Sequence, residues 1–201
     1  IGHINYILDI SPEITESPEF IALRGAAYAL GGQFDLAFHD LLHPYLEDFE
    51  EISLWKAYAL AGLEDWNQAG ENLPSDVGLV SLYPSPLQQE IALVLAEISL
   101  RQGRTSDGGA LLQLVRDNTD ELTAEQLSSL NYLSGELARQ NGDIEKALSF
   151  WKDLSTGKDD LYRAKAGLAI NRLNYEEGKI TPEQAINNLE RLRYAWRGDD
   201  L

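Results

Sequence analysis

The chain has 201 residues, 44% hydrophobic and 24% charged, which is enough for a packed core and too apolar for a disordered or fibrous protein. Its 16 Lys and Arg stand against 33 Asp and Glu, a formal net charge of −17, so it repels phosphate backbones and nucleic acid is not expected as a partner. Cysteine is absent, which excludes disulfides, thiolate metal sites and thiol nucleophiles and leaves the compartment unspecified.

Methionine is absent too and the chain opens at Ile1, so it reads as a processed form or a piece of a longer protein. Ile4, Ile7 and Leu8 look like the remnant of an apolar first helix with a missing neighbour. Ser17-Pro18-Glu19 then caps a helix over 19–31. Helices follow at 34–43, 50–62 and 65–72. The stretch 73–85, with Pro74 and Pro84 and with Pro86 just beyond, is the most irregular, with room for a short helical piece. Ser85-Pro86-Leu87-Gln88 has the chemistry of a capping box and opens a helix over 86–102, where Ile91, Val94, Leu95 and Ile98 form one stripe. After 106–117, the box Thr123-Ala124-Glu125-Gln126 opens 123–140, striped by Leu127, Leu130, Leu133 and Leu137. Helices at 144–154 and 159–177 follow, and Thr181-Pro182-Glu183-Gln184 opens the last, 182–196. Gly32, Gly103, Gly142 and Gly178 each follow an apolar-periodic run, where glycine supplies the left-handed conformation that ends a helix. Alternating β-branched runs are missing, and no apolar run reaches the ~18 residues of a membrane span. The expected fold class is all-α.

Charge is uneven along the chain. Residues 1–100 hold two basic side chains, Arg24 and Lys56, and 16 acidic ones, a net of −14. The second half is nearly balanced. An acidic first half serves solubility, and it also attracts a basic partner segment.

The helices come in pairs. Aligning the turns inside the pairs gives Gly32, Glu64, Gly103, Gly142 and Gly178, spaced by 32, 39, 39 and 36 residues. A two-helix period near ~34 residues is the mark of a helical solenoid. Gly25, Ala57, Ala96 and Gly135 sit seven residues before a turn, and Ala37, Ala69, Gly108 and Ala147 five after it. Small side chains there let paired helices approach closely. The segments Gly25-x-x-Tyr28-x-x-x-Gly32-Gln33-Phe34-x-x-Ala37 and Gly135-x-x-Ala138-x-x-x-Gly142-Asp143-Ile144-x-x-Ala147 resemble tetratricopeptide repeats. The second pair has Glu64 where that family has glycine, the third is degenerate, and the fifth has an extended link. The resemblance implies a right-handed α/α solenoid of about five helix pairs. It covers roughly residues 18–196 of a single expected domain over 1–201, with repeats near 18–48, 49–84, 85–118, 123–156 and 159–196. The closing stretch from Leu192 to Asp199 resembles one in large bacterial tetratricopeptide proteins, which implies a fragment of such a protein.

Few residues suggest catalysis. His39-Asp40-Leu41-Leu42-His43 places two histidines one helical turn apart, with Asp35 a turn earlier, like a zinc-protease motif with Asp in place of Glu. Asp is a methylene too short, and His3 is the only other histidine. The expectation is adventitious metal at most at Asp35, His39 and His43, with a metal-dependent hydrolase as the remote alternative. The acidic pairs Glu50-Glu51, Asp159-Asp160, Glu176-Glu177 and Asp199-Asp200 sit at helix ends or loops, where acids at helix starts offset the dipole. No nucleophile elbow or phosphate loop occurs. Arg197-Gly198-Asp199 spells an adhesion tripeptide that reads more simply as a helix end.

In the resembling family the first helix of each pair lines a concave face. That implies partner-binding positions at Trp55, Tyr58, Glu97, Arg101, Tyr132, Glu136, Arg139, Arg172 and Tyr175. Members that clamp an acidic chaperone tail carry Lys and Asn on this face, where this chain has Ala22 and Ala26. The expected function is therefore a non-enzymatic scaffold, without cofactor, that binds a peptide or helix of a protein partner with a basic segment. The alternative is a structural spacer that self-associates through its end helices.

Overall fold

The computed structural model describes residues 17–47 and 49–195. Ile4, Ile7, Leu8, His3 and Arg197-Gly198-Asp199 lie outside the described residues. Ten α-helices occur among those described: α1 Pro18–Leu30, α2 Phe34–Leu41, α3 Glu50–Gly62, α4 Trp66–Glu71, α5 Ser85–Arg101, α6 Thr105–Arg116, α7 Ala124–Gln140, α8 Ile144–Ser155, α9 Asp160–Glu176 and α10 Pro182–Ala195. Short 3₁₀ turns occupy Pro44–Leu46, Val77–Leu82 and Thr119–Glu121, the second being the helical piece expected in the irregular stretch. No strand occurs among the described residues, and no described helix is long and apolar enough to cross a membrane.

The ten helices begin and end within two residues of the sequence expectation, because caps and stops act locally. Ser17 Oγ accepts the Phe20 N–H at 3.2 Å. Both reciprocal bonds of the capping box join Thr123 to Gln126 and Thr181 to Gln184. The box expected at Ser85 does not form. Pro84, with φ −63° and ψ 149°, supplies the extended cap itself, so the helix starts one residue early. Ser85 then lies inside the first turn and accepts from Gln89 instead.

All five aligned turns close in the same way. The turn residue has φ of 71° at Gly32, 61° at Glu64, 71° at Gly103, 80° at Gly142 and 66° at Gly178. In each, its N–H reaches back three residues and the next N–H reaches back five, as in Gly32 to Ala29 and Gln33 to Tyr28. This double bond pattern satisfies carbonyls that a helix end otherwise leaves open. Glu64 alone makes the turn with a Cβ, which costs on the order of 1–2 kcal/mol in the left-handed region. Glu64→Gly is therefore expected to stabilise the protein by about 1 kcal/mol, read as a higher thermal midpoint. A Cβ at Gly103 meets nothing within 4 Å, so Gly103→Ala carries the backbone penalty alone and should lower the midpoint.

The described residues fall into two compact units, which divide between Leu111 and Leu112 inside α6. In the first, α1 packs on α2 and α3, and α3 packs on α4 and α5. In the second, α7 packs on α8 and α9, and α9 packs on α8 and α10. Each unit is thus built of helix pairs packed in chain order. The small residues beside the turns are all buried. A Cβ on Gly25 would lie 2.8 Å from Leu41 Cγ and 3.5 Å from the Ala37 carbonyl oxygen. A Cβ on Gly108 would lie 2.8 Å from Leu100 Cδ2 and 3.7 Å from the Ala96 carbonyl oxygen. In the first and third pairs the residue seven before the turn therefore faces the residue five after it, whereas in the fourth Gly135 lies against Trp151. The fifth pair departs from this. Asn171 stands at the small position, and its side-chain N–H donates to the Ala185 carbonyl at 3.1 Å across the longer link.

Candidate functional site

In the first unit, α1 and α3 do not close over one another completely. Along α1, Ala22, Ala26 and Ala27 are short side chains, while Leu23 and Leu30 stand beside them. Phe49, Ile52 and Trp55 come from the start of α3, and Leu79, Leu82 and Tyr83 from the 3₁₀ turn and the residue after it. Together they line an open groove of about 730 Å³. Leu82 is 71% exposed and Leu23 63%, with Leu30 and Phe49 at 39%. Large apolar side chains this exposed, and contiguous, mark an interaction surface more often than chance exposure does. The two ionisable carboxylates of the lining, Glu19 and Glu51, are both acidic, and no Lys or Arg lines it.

A hydrogen-bond chain fixes one wall. The Trp55 indole N–H donates to the Tyr83 hydroxyl at 3.0 Å, and that hydroxyl donates to Glu51 Oε2 at 3.3 Å. The Trp55 and Tyr83 rings meet edge-on with centroids 5.7 Å apart. Burial, reinforced by the charge of Glu51, pushes the Tyr83 phenol up to about 12. Val80, fully buried, anchors the 3₁₀ turn from beneath while Leu82 faces outward.

Of the residues expected to bind a partner, Trp55 belongs to this groove but is only 5% exposed. Tyr58 is buried, and its hydroxyl donates to Glu90 Oε1 at 2.7 Å, tying α3 to α5. Burial and that bond hold the Tyr58 phenol well above its usual range. Arg101 pairs with Glu97 at 2.8 Å and lies over the Trp66 ring at 4.0 Å. In the second unit Arg139 pairs with Glu136 at 3.0 Å, and Arg172 with Glu176 at 3.1 Å. Tyr132 is half-buried, 6.0 Å from the Tyr162 ring and 6.5 Å from Trp151. Tyr175 is half-exposed. The expected set therefore divides between the two units, and its arginines are held by acids of their own helices. The residues that sequence reasoning missed are Leu23, Leu79, Leu82 and Phe49. The available signal was the apolar run Val77–Tyr83 inside a proline-rich link.

The histidine motif has a structural use. Asp40 accepts two hydrogen bonds from Arg24 on α1, at 2.5 and 2.8 Å. Those bonds raise the Arg24 pKa and secure its charge against partial burial. His39 Nδ1 lies 3.8 Å from the same carboxylate with its ring 88% exposed. His43 Nδ1 accepts the Tyr45 N–H at 3.4 Å and caps the 3₁₀ turn. Asp35 is exposed. Among the described residues no group of three His, Asp or Glu side chains is placed to hold a metal ion.

The sequence matches no family model, no curated protein and no solved structure.

Proposed function

We propose that the chain is a non-enzymatic protein-interaction scaffold, a right-handed α-solenoid of about five tetratricopeptide-like pairs that holds a segment of a partner protein. The solenoid reading is supported by five turns of one geometry and by small residues facing one another across them. The scaffold reading rests on one observation, the exposed apolar groove between α1, α3 and the 3₁₀ turn. Pre-formed walls hold a partner segment at little reorganisation cost. The acidic first half should speed capture of a basic segment and make the rate fall with salt.

Because Trp55 and Tyr58 are buried, their removal would unpack the fold and is a poor test of binding. Leu23 and Leu82 are the better probes. Leu23→Asp with Leu82→Asp should leave the helical circular dichroism and its melting curve unchanged. The same variant should lose the proteins that the wild-type chain retains from a cell lysate at low salt. Retention of the same set by the variant overturns the reading.

The alternative, a spacer or self-assembly segment of a larger bacterial protein, is favoured by a different observation. On α10, Ile186 is 57% and Leu189 40% exposed, an apolar strip suited to another helix pair or another copy. A mass that rises with concentration in sedimentation, and is held at the monomer by Ile186→Glu, would favour it.

A further inference from the structure

Resting on the groove as a capture site, we infer that its occupant is an α-helix with an apolar stripe flanked by Lys or Arg, not an extended peptide. The first reason is backbone hydrogen bonding. The walls of the groove are helices and a 3₁₀ turn, whose N–H and C=O groups are used internally except for N–H groups in the first turns of α1 and α3. An extended segment would bring its own amides into an apolar cleft with no strand edge to receive them. Apart from the carboxylates of Glu19 and Glu51, the polar side-chain groups of the lining offer little in exchange, since the Trp55 N–H and the Tyr83 hydroxyl already bond to one another. A helix enters with its amides satisfied.

The second reason is shape. The alanines of α1 make a shallow floor flanked by Leu23 and Leu30, which suits apolar ridges on a neighbouring helix. From Glu19 to Leu30 that wall runs about 16 Å, or three turns of an occupant. The third reason is charge. Glu19 and Glu51 edge the groove, no cation lines it, and the nearby Arg24 is held by Asp40. Lysines or arginines beside the apolar stripe of the occupant would meet these carboxylates, whereas an acidic helix would be repelled.

The test uses three fluorescein-labelled peptides of about 16 residues, long enough to be partly helical in isolation. One carries leucines at i, i+3, i+4 and i+7 with lysines beside them. The second has every lysine replaced by glutamate, and the third has one central leucine replaced by proline. Fluorescence anisotropy against the full chain at low salt should show the lysine peptide binding at least about tenfold more tightly than either other, with its helical dichroism rising on binding. Leu23→Asp with Leu82→Asp should abolish this binding, and Glu19→Lys with Glu51→Lys should transfer the preference to the glutamate peptide. Equal binding of the proline peptide overturns the helical occupant, and equal binding of the glutamate peptide overturns the basic one. Failure of all three peptides overturns the inference, while retention of lysate proteins that the Leu23, Leu82 variant loses would leave the capture site standing. A wild-type dimer dispersed by the same variant would make a second copy the occupant and also overturn it.

Discussion

Trp151→Ala is expected to destabilise the second unit by about 3–5 kcal/mol, the largest effect of any single change to this core. Trp151 is fully buried among Ala147, Leu154, Tyr162, Ala166 and Leu173. Its indole N–H donates to the Tyr132 carbonyl at 3.2 Å, so truncation removes the ring together with a hydrogen bond to a carbonyl in the middle of α7. The ring lies directly on Gly135, where a Cβ would collide with the indole nitrogen. Gly135→Ala alone should therefore destabilise by overpacking. In the Trp151→Ala background the same methyl enters vacated space and should cost much less, or restore part of the loss. Urea unfolding of the four proteins measures this coupling. Additive effects would mean that Gly135 and Trp151 do not pack on one another.

Asp40→Ala should cost about 3 kcal/mol, far more than the loss of a surface acid. The Asp40 side chain is 9% exposed and that of Arg24 19%, so removing the carboxylate leaves a guanidinium partly buried with its main partner gone. The same urea titration tests it, with Arg24→Met added to Asp40→Ala as the second variant. If the cost comes from the stranded charge, the double variant recovers a large part of it, because an apolar side chain of similar length has no charge to desolvate. A double variant as unstable as Asp40→Ala would assign the loss to something other than the ion pair. The result bears on the histidine motif as well, since it measures what the Asp between His39 and His43 does in the fold.

The boundaries and turns were legible because their causes are local. A cap residue, a glycine in the left-handed region and an alanine five residues later each act within a turn or two, and each stands in the sequence where it acts. Even Glu64 was visible as the one turn lacking glycine. Depth was not legible in the same way. Helix α3 is apolar on most of its surface, and the resemblance implied a face for Trp55 and Tyr58 without saying that the face is covered. That cover depends on Tyr83 and Glu90, 28 and 32 residues away from their partners. The groove was hidden for a related reason. Its second wall is the stretch Val77–Leu82, placed by burial of Val80 under a long connection and not by any repeat. The missing box at Ser85 has a smaller cause, since Pro84 already supplied the extended backbone that a capping side chain would have served.

The uniform bends have a kinetic consequence. The ion pair of the first hairpin joins residues 16 apart, and the tryptophan contact of the fourth joins residues 19 apart. Contacts this local give a low relative contact order, and topologies of that kind fold in microseconds to milliseconds. During synthesis each hairpin can shut as soon as its second arm has emerged. The face left open then waits only for the next pair, as Trp55 and Tyr58 wait for Tyr83 and Glu90, 28 and 32 residues on.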